Sequence, residues 1–171
     1  NSAQIDGLEL DLSWAATYNL QLTGGFAWYD AKLTANYCGW LRPDGSPETT
    51  CPNGTVDPNG NVVSGPQAAE GTQLPITPQF KGSVNARYTW DMAGGEAYWQ
   101  ASLSHAGRRR VDMREAESAL LGYLDGYTLT DLSVGWRKDT WSIDLFLKNA
   151  FDERAEMSRF AQCAALTCGN Q

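Results

Sequence analysis

The feature that most constrains this chain is a two-residue period in hydropathy that recurs six times. In the first run Leu8, Leu10, Leu12 and Trp14 alternate with Glu9, Asp11, Ser13 and Ala15. The second sets Leu20, Leu22, Gly24, Phe26 and Trp28 against Gln21, Thr23, Gly25, Ala27 and Tyr29. Later runs place Phe80, Val84, Ala86, Tyr88 and Trp90 opposite Lys81, Ser83, Asn85, Arg87 and Thr89, then Ala97 to Leu103 opposite Tyr98 to Ser104. The last two are built on Leu132, Val134 and Trp136 and on Trp141, Ile143, Leu145 and Leu147, with Phe146 the one clear break. Side chains on a strand alternate between faces, so each run predicts a strand with one apolar and one polar side. The expected spans are 6–15, 20–36, 79–90, 96–106, 127–137 and 140–151. Hydrophobic residues make up 42% of the chain but are dispersed, and no window approaches the ~18 consecutive apolar residues of a transmembrane helix. That excludes a helical membrane protein and leaves a membrane β-barrel open, because barrel strands alternate.

Connection lengths alternate as well. Short ones fall around 16–19, 91–95 and 138–140; long ones fill 37–78 and 106–126, and a third begins after Phe151. Short turns at one end and long loops at the other describe an outer-membrane barrel with the short side periplasmic. The aromatics agree. Trp14 and Tyr18 flank the first short turn, Tyr88, Trp90 and Trp99 the second, and Trp136 and Trp141 the third. Trp14, Tyr18, Trp90, Trp99, Trp136 and Trp141 therefore form an expected interfacial girdle; the plainer alternative is the aromatic core of a soluble sheet. The polar side carries Glu9, Asp11, Lys81, Arg87, Asp131, Arg137, Asp144 and Lys148, which suit a wet lumen better than a dry core. Six strands do not close a barrel, so the first and last are expected edges and the chain an expected piece of a larger wall. No signal peptide opens it, and Asn1 is not an initiator methionine, which points to processing or a fragment.

A net charge of −7 argues against a nucleic-acid partner. The four cysteines form two local pairs, Cys38 with Cys51 and Cys163 with Cys168. In an oxidising compartment these become loop disulfides; free thiols or a metal site are the alternatives, although the spacings fit no zinc template. No catalytic constellation emerges, so a non-enzyme without cofactor or metal is expected. His105 is the only histidine and sits at a strand end, as a rim residue or a ligand contact. Arg108, Arg109 and Arg110, followed by Arg114, form the one basic run. They can bind lipopolysaccharide phosphates or an anionic ligand, or simply be solvated. One or two helical turns are expected over 115–121. The segment Asp57-Pro58-Asn59-Gly60-Asn61 echoes a calcium loop, but its glycine falls early and no Glu closes it, so successive turns are expected instead.

Several stretches resemble a known family. Gly7-Leu8-Glu9-Leu10-Asp11-Leu12-Ser13-Trp14 followed by Tyr18-Asn19-Leu20-Gln21-Leu22 resembles the strand, turn-Asn-Leu, strand unit of TonB-dependent receptors. Leu74-Pro75-Ile76-Thr77-Pro78-Gln79-Phe80-Lys81 looks like their proline-containing strand entry. Leu147-Lys148-Asn149-Ala150-Phe151-Asp152-Glu153-Arg154 is similar to the end of their penultimate strand. The resemblance implies an all-β antiparallel transmembrane barrel segment in the bacterial outer membrane, facing lipid and lipopolysaccharide. It further implies active import of a scarce small ligand, a ferric siderophore first, driven by TonB acting on a plug domain. The plug, the TonB box and the last strand are expected to lie outside this chain. A passive outer-membrane channel and a soluble secreted β-sandwich are the alternatives.

Overall fold

A computed structural model describes residues 2–160. Its strands are β1 (Ala3–Ala15), β2 (Leu20–Leu33), β3 (Phe80–Met92), β4 (Gly95–Ala106), β5 (Arg109–Arg110), β6 (Tyr123–Leu124), β7 (Tyr127–Lys138) and β8 (Trp141–Leu147), with one helix, α1 (Glu115–Leu121), between β5 and β6. Six strands pair antiparallel in the order β1-β2-β3-β4-β7-β8, and β5 and β6 form a small separate ribbon. Neighbours in sequence are neighbours in the sheet throughout, the meander of an up-and-down barrel wall. Among the described residues β1 and β8 are open edges.

The register sorts the whole sheet into two faces. On one, Leu12, Gly24, Val84, Leu103 and Thr130 are successive partners, as are Trp14, Leu22, Ala86, Ala101, Leu132 and Leu147, and then Leu20, Tyr88, Trp99, Val134 and Leu145. On the other, Asp11, Gly25, Ser83, Ser104 and Leu129 line up, followed by Ser13, Thr23, Asn85, Ser102 and Asp131. A slip of one residue between any two strands would carry a strand's apolar set to the polar side. The alternation in the sequence is therefore what holds the register. Phe146, the exception, pairs with Ser133 on the polar face and is exposed.

The apolar face has an outer limit. Beyond Leu8 and Trp28 the same side continues as Asp6 opposite Asp30 and Gln4 opposite Lys32, with Lys32 bonded to Asp30 at 2.7 Å. The other side turns apolar there, and Ala31 and Leu33 are buried. Such a reversal of polarity fits a sheet that leaves one medium and enters another while a loop covers its inner face.

Three strand ends differ from expectation by three residues or more, the first being β1, which starts at Ala3 rather than 6. β2 stops at Leu33 rather than 36, and β8 stops at Leu147 rather than 151. Asn149 terminates β8: it is left-handed (φ 49°), its side-chain oxygen accepts from the Glu153 N–H, and its amide nitrogen donates to the Glu153 carbonyl, both at 3.0 Å. The Asn-x-Phe-Asp stretch is thus a turn, not strand. The β3–β4 turn is tight, with Ala93 and Gly94 both at positive φ (54° and 72°), the primed geometry that matches strand twist. The helical turns expected at 115–121 are present as α1. The β5–β6 ribbon was not visible in the sequence, since two-residue strands have no period.

Candidate functional site

The structure offers three surfaces as candidate sites, the two faces of the sheet and the cap of loops beyond the ends of β2 and β4. The polar face holds two adjoining depressions of about 540 and 710 Å³. Their floor is made by the row Gly25, Ser83 and Ser104, where side chains are small or absent, and the next row adds Thr23, Asn85 and Ser102. Glu9, Asp11 and Tyr29 rise on the β1–β2 side, and Tyr127, Leu129 and Asp131 on the β7 side. The Tyr29 hydroxyl donates to Glu9, the Ser102 hydroxyl to the Asn85 side-chain oxygen at 2.7 Å, and the Asn149 N–H to Asp131 at 2.8 Å. Lys81 lines the outer depression and makes no ion pair among the described residues. Closer to the short turns, the Arg87 guanidinium lies 3.7 Å over the Tyr98 ring and donates to Gln100 (3.1 Å), while the Tyr98 hydroxyl donates to Asp144 (2.6 Å). The groove therefore offers hydroxyls, an amide, carboxylates and an ammonium to a polar solute. Tyr29, Tyr127 and the serine row were not singled out from the sequence; their polar-side parity was the available signal.

The basic run does not form one cluster. Arg108 is exposed and stacks on Tyr123, with its guanidinium carbon 4.0 Å from the ring centroid. Arg109 is buried (4% exposed) and donates to the Glu156 carbonyl at 2.7 Å. The Arg110 side chain donates to the Asp112 carbonyl at 2.8 Å. Arg114 lies between Asp112 (2.8 Å) and Glu117 (2.7 Å). Its hydrogen bonds hold the Asp112 carboxyl below the usual carboxylate range, despite the opposing effect of burial. Arg108 is thus the exposed guanidinium of the four, Arg109 alone bonds across to another segment, and Arg110 and Arg114 bond within their own loop.

The cap joins three segments. The Ile76 N–H donates to the Arg110 carbonyl, and the Glu115 N–H to the Gln67 carbonyl, both at 2.8 Å. Arg159 reaches the Leu121 carbonyl at 2.8 Å and pairs with Glu156. Within the first long loop Cys38 and Cys51 form a disulfide and are both buried. The other pair, Cys163 and Cys168, lies outside the described residues. Beside the disulfide, Arg42 grips Glu48 through two side-chain hydrogen bonds of 3.0 and 2.8 Å. That grip, with the N–H groups of Thr50 and Thr49, pushes the Glu48 carboxyl down to about 2. Asp57 accepts from the N–H groups of Asn61 and Asn59, so its side chain caps the turn. No group of three or more metal-ligating side chains occurs among the described residues.

The apolar face carries the aromatics at its short-turn end. Trp14, Trp90, Trp99 and Trp136 stand on register rows of this face, and Trp141 pairs with Lys138 at its edge. Tyr88 stacks on Trp90 with centroids 5.9 Å apart, and the Trp136 ring N–H donates to the Met92 carbonyl at 2.9 Å. Tyr18 stands apart from these rows, fully exposed in the β1–β2 turn. His105 falls on this apolar face too, opposite Gly82 and Thr128.

A family model described as TonB dependent receptor-like, beta-barrel, matches residues 1–150. No curated protein matches the chain significantly. Members of that family are outer-membrane transporters that work with TonB on small ligands, and not enzymes. With six antiparallel strands, one apolar and one polar face in register and long loops at one end, this chain belongs to the TonB-dependent receptor β-barrel family.

Proposed function

We propose that this chain is part of the wall of an outer-membrane importer that takes up a scarce ligand, a ferric siderophore, with energy delivered by TonB through a plug domain. The observation that carries the reading is the two-faced sheet in a chain of this family: an apolar surface for lipid and, in register behind it, a groove of hydroxyls, carboxylates and Lys81. In this reading the short turns are periplasmic, the loop cap is extracellular, and Trp14, Trp90, Trp99, Trp136 and Trp141, with Tyr18 below them, mark the periplasmic interface. Arg108 is the guanidinium of the basic run left to meet an anionic ligand or a lipopolysaccharide phosphate.

Uptake of radiolabelled ferric siderophores tests the proposal, in iron-starved cells with and without the gene and with and without TonB. The expected result is uptake that needs both. Uptake that survives the loss of TonB indicates a passive channel. No iron-dependent phenotype with any ferric chelate overturns the siderophore assignment.

A further inference from the structure

We propose that Met157 is an oxidation site, at which hydrogen peroxide turns a weak contact with the buried Arg109 into a strong one and so locks residues 152–160 onto the loop cap. The chain has three methionines. Met157 is the most exposed of them at 61%, against 48% for Met92 at the short-turn end of β3 and a half-buried Met113. Cys38 and Cys51 are buried and closed in their disulfide, so Met157 is the most exposed sulfur among the described residues. Exposure to the oxidant in water is the first requirement for sulfoxide formation.

The surroundings of the sulfur set what its oxidation does. Arg109 Nη2 donates to Met157 Sδ at 3.9 Å and to the Glu156 carbonyl at 2.7 Å. Arg109 is buried, lies over the Tyr127 ring at 5.5 Å, and pairs with no carboxylate among the described residues. A guanidinium carries five N–H donors, a buried charge needs acceptors for them, and a thioether is a weak one. Peroxide passes one oxygen to the sulfur, which gives up two electrons. The other oxygen leaves as water with both of the peroxide's hydrogens. The sulfoxide oxygen is a polar acceptor formed beside a guanidinium that has one strong acceptor among the described residues, the Glu156 carbonyl. Methionine oxidation commonly disrupts packing, because the new oxygen is polar in an apolar setting. At Met157 a buried cation supplies the partner and the exposed side chain has little packing to lose, so oxidation tightens the segment on the cap. The inference goes beyond the transport reading and stands whatever the cargo.

The test treats the intact receptor containing this chain with hydrogen peroxide, maps sulfoxides by peptide mass spectrometry and reads hydrogen exchange over 152–160. Wild type should oxidise at Met157 ahead of Met113. Its exchange over 152–160 should then slow roughly threefold to tenfold, the net worth of one hydrogen bond. Met157→Leu keeps the volume without the sulfur and should show no slowing. Arg109→Ala should still form the sulfoxide and gain no protection from it. If Arg109→Ala loses heat-modifiable mobility and so its fold, the Met157→Leu comparison decides alone. Faster or unchanged exchange in oxidised wild type overturns the proposal, and so does slowing that persists in Met157→Leu. A Met157 that resists peroxide while Met113 reacts overturns it as well.

Discussion

Val84→Arg and Ser83→Arg place the same charge on adjacent residues of β3 and on opposite faces of the sheet. Val84 lies on the row Leu12, Gly24, Val84, Leu103 and Thr130, between the outer limit at Trp28 and Phe80 and the aromatic rows of Trp99 and Trp136. An arginine there sits near the bilayer midplane, where a lipid-facing charge costs ~2–4 kcal/mol. At 1.4 kcal/mol per tenfold, that lowers the folding equilibrium by roughly thirtyfold to a thousandfold. Ser83 instead faces the groove, where Asp11 and Ser104 occupy the same row and water reaches the side chain. The new guanidinium then keeps its hydration and gains a carboxylate neighbour, so the expected change is within about 1 kcal/mol, as for exposed pairs. The assay is urea-dependent folding of the full receptor into lipid vesicles, read by heat-modifiable mobility. Leu10→Arg, one row farther out, should cost less than Val84→Arg, because the penalty falls towards the interface. Equal costs at positions 83 and 84 would refute the assignment of faces.

Three further outcomes follow from the same geometry. Gly135 lies under the Tyr98 ring and beside the Asp144 carboxylate, and a Cβ there meets both, so Gly135→Ala should destabilise the sheet by about 1–3 kcal/mol through overpacking in the same urea assay. The Glu48 carboxyl is lowered from 4.5 to about 2 in the folded loop. The Arg42–Glu48 grip is therefore fully present above about pH 4.5 and is lost as pH falls through about 2. Pepsin cleavage of the first long loop should accelerate over that window in wild type, whereas Glu48→Gln should be cut readily at the top of it. Arg109→Ala removes the buried donor to Glu156 and should raise hydrogen exchange over 152–160, leaving β3 and β4 unchanged.

Strands and their faces were legible because a two-residue period is a local property, and burial against lipid on one side imposes it along the whole chain. Leu8 to Trp14 and Val84 to Trp90 gave their faces without knowledge of any partner strand. The strand ends were less legible. β8 stops at Leu147 because Asn149 turns left-handed and bonds to Glu153, a side-chain choice that hydropathy does not record. The basic run was the least legible part. Adjacent arginines suggest a charged patch, yet Arg109 is taken by a carbonyl 47 residues away and Arg114 by two nearby carboxylates. Only the folding of the loops over one another decides which guanidinium remains in water. His105 is intermediate: its position near a strand end was readable, whereas its place on the apolar face follows from a parity that it shares with Leu103.

The distribution of buried residues shows that two different media hold this chain together. Of the buried apolar side chains among the described residues, Ala97 belongs to the membrane-facing part of the sheet. Ala31, Leu33, Cys38, Cys51, Ala68 and Leu124 all lie at or beyond its outer end. The hydrophobic core in the ordinary sense is therefore the loop cap, where water drives burial and the disulfide and Arg109 fix the packing. Across the sheet most of the leucines, valines and tryptophans of the apolar face are exposed or half-buried, as suits side chains whose solvent is lipid, and cohesion comes from backbone pairing that the bilayer interior makes obligatory. The open edges of β1 and β8 then carry an obligation that the cap does not. Among the described residues each presents N–H and C=O groups with no strand partner, and at bilayer depth such groups require pairing. The cap, with its own core and staple, carries no such condition. Reduction of the Cys38–Cys51 disulfide in the assembled receptor should therefore loosen the loops and leave the strand pairing of the wall intact.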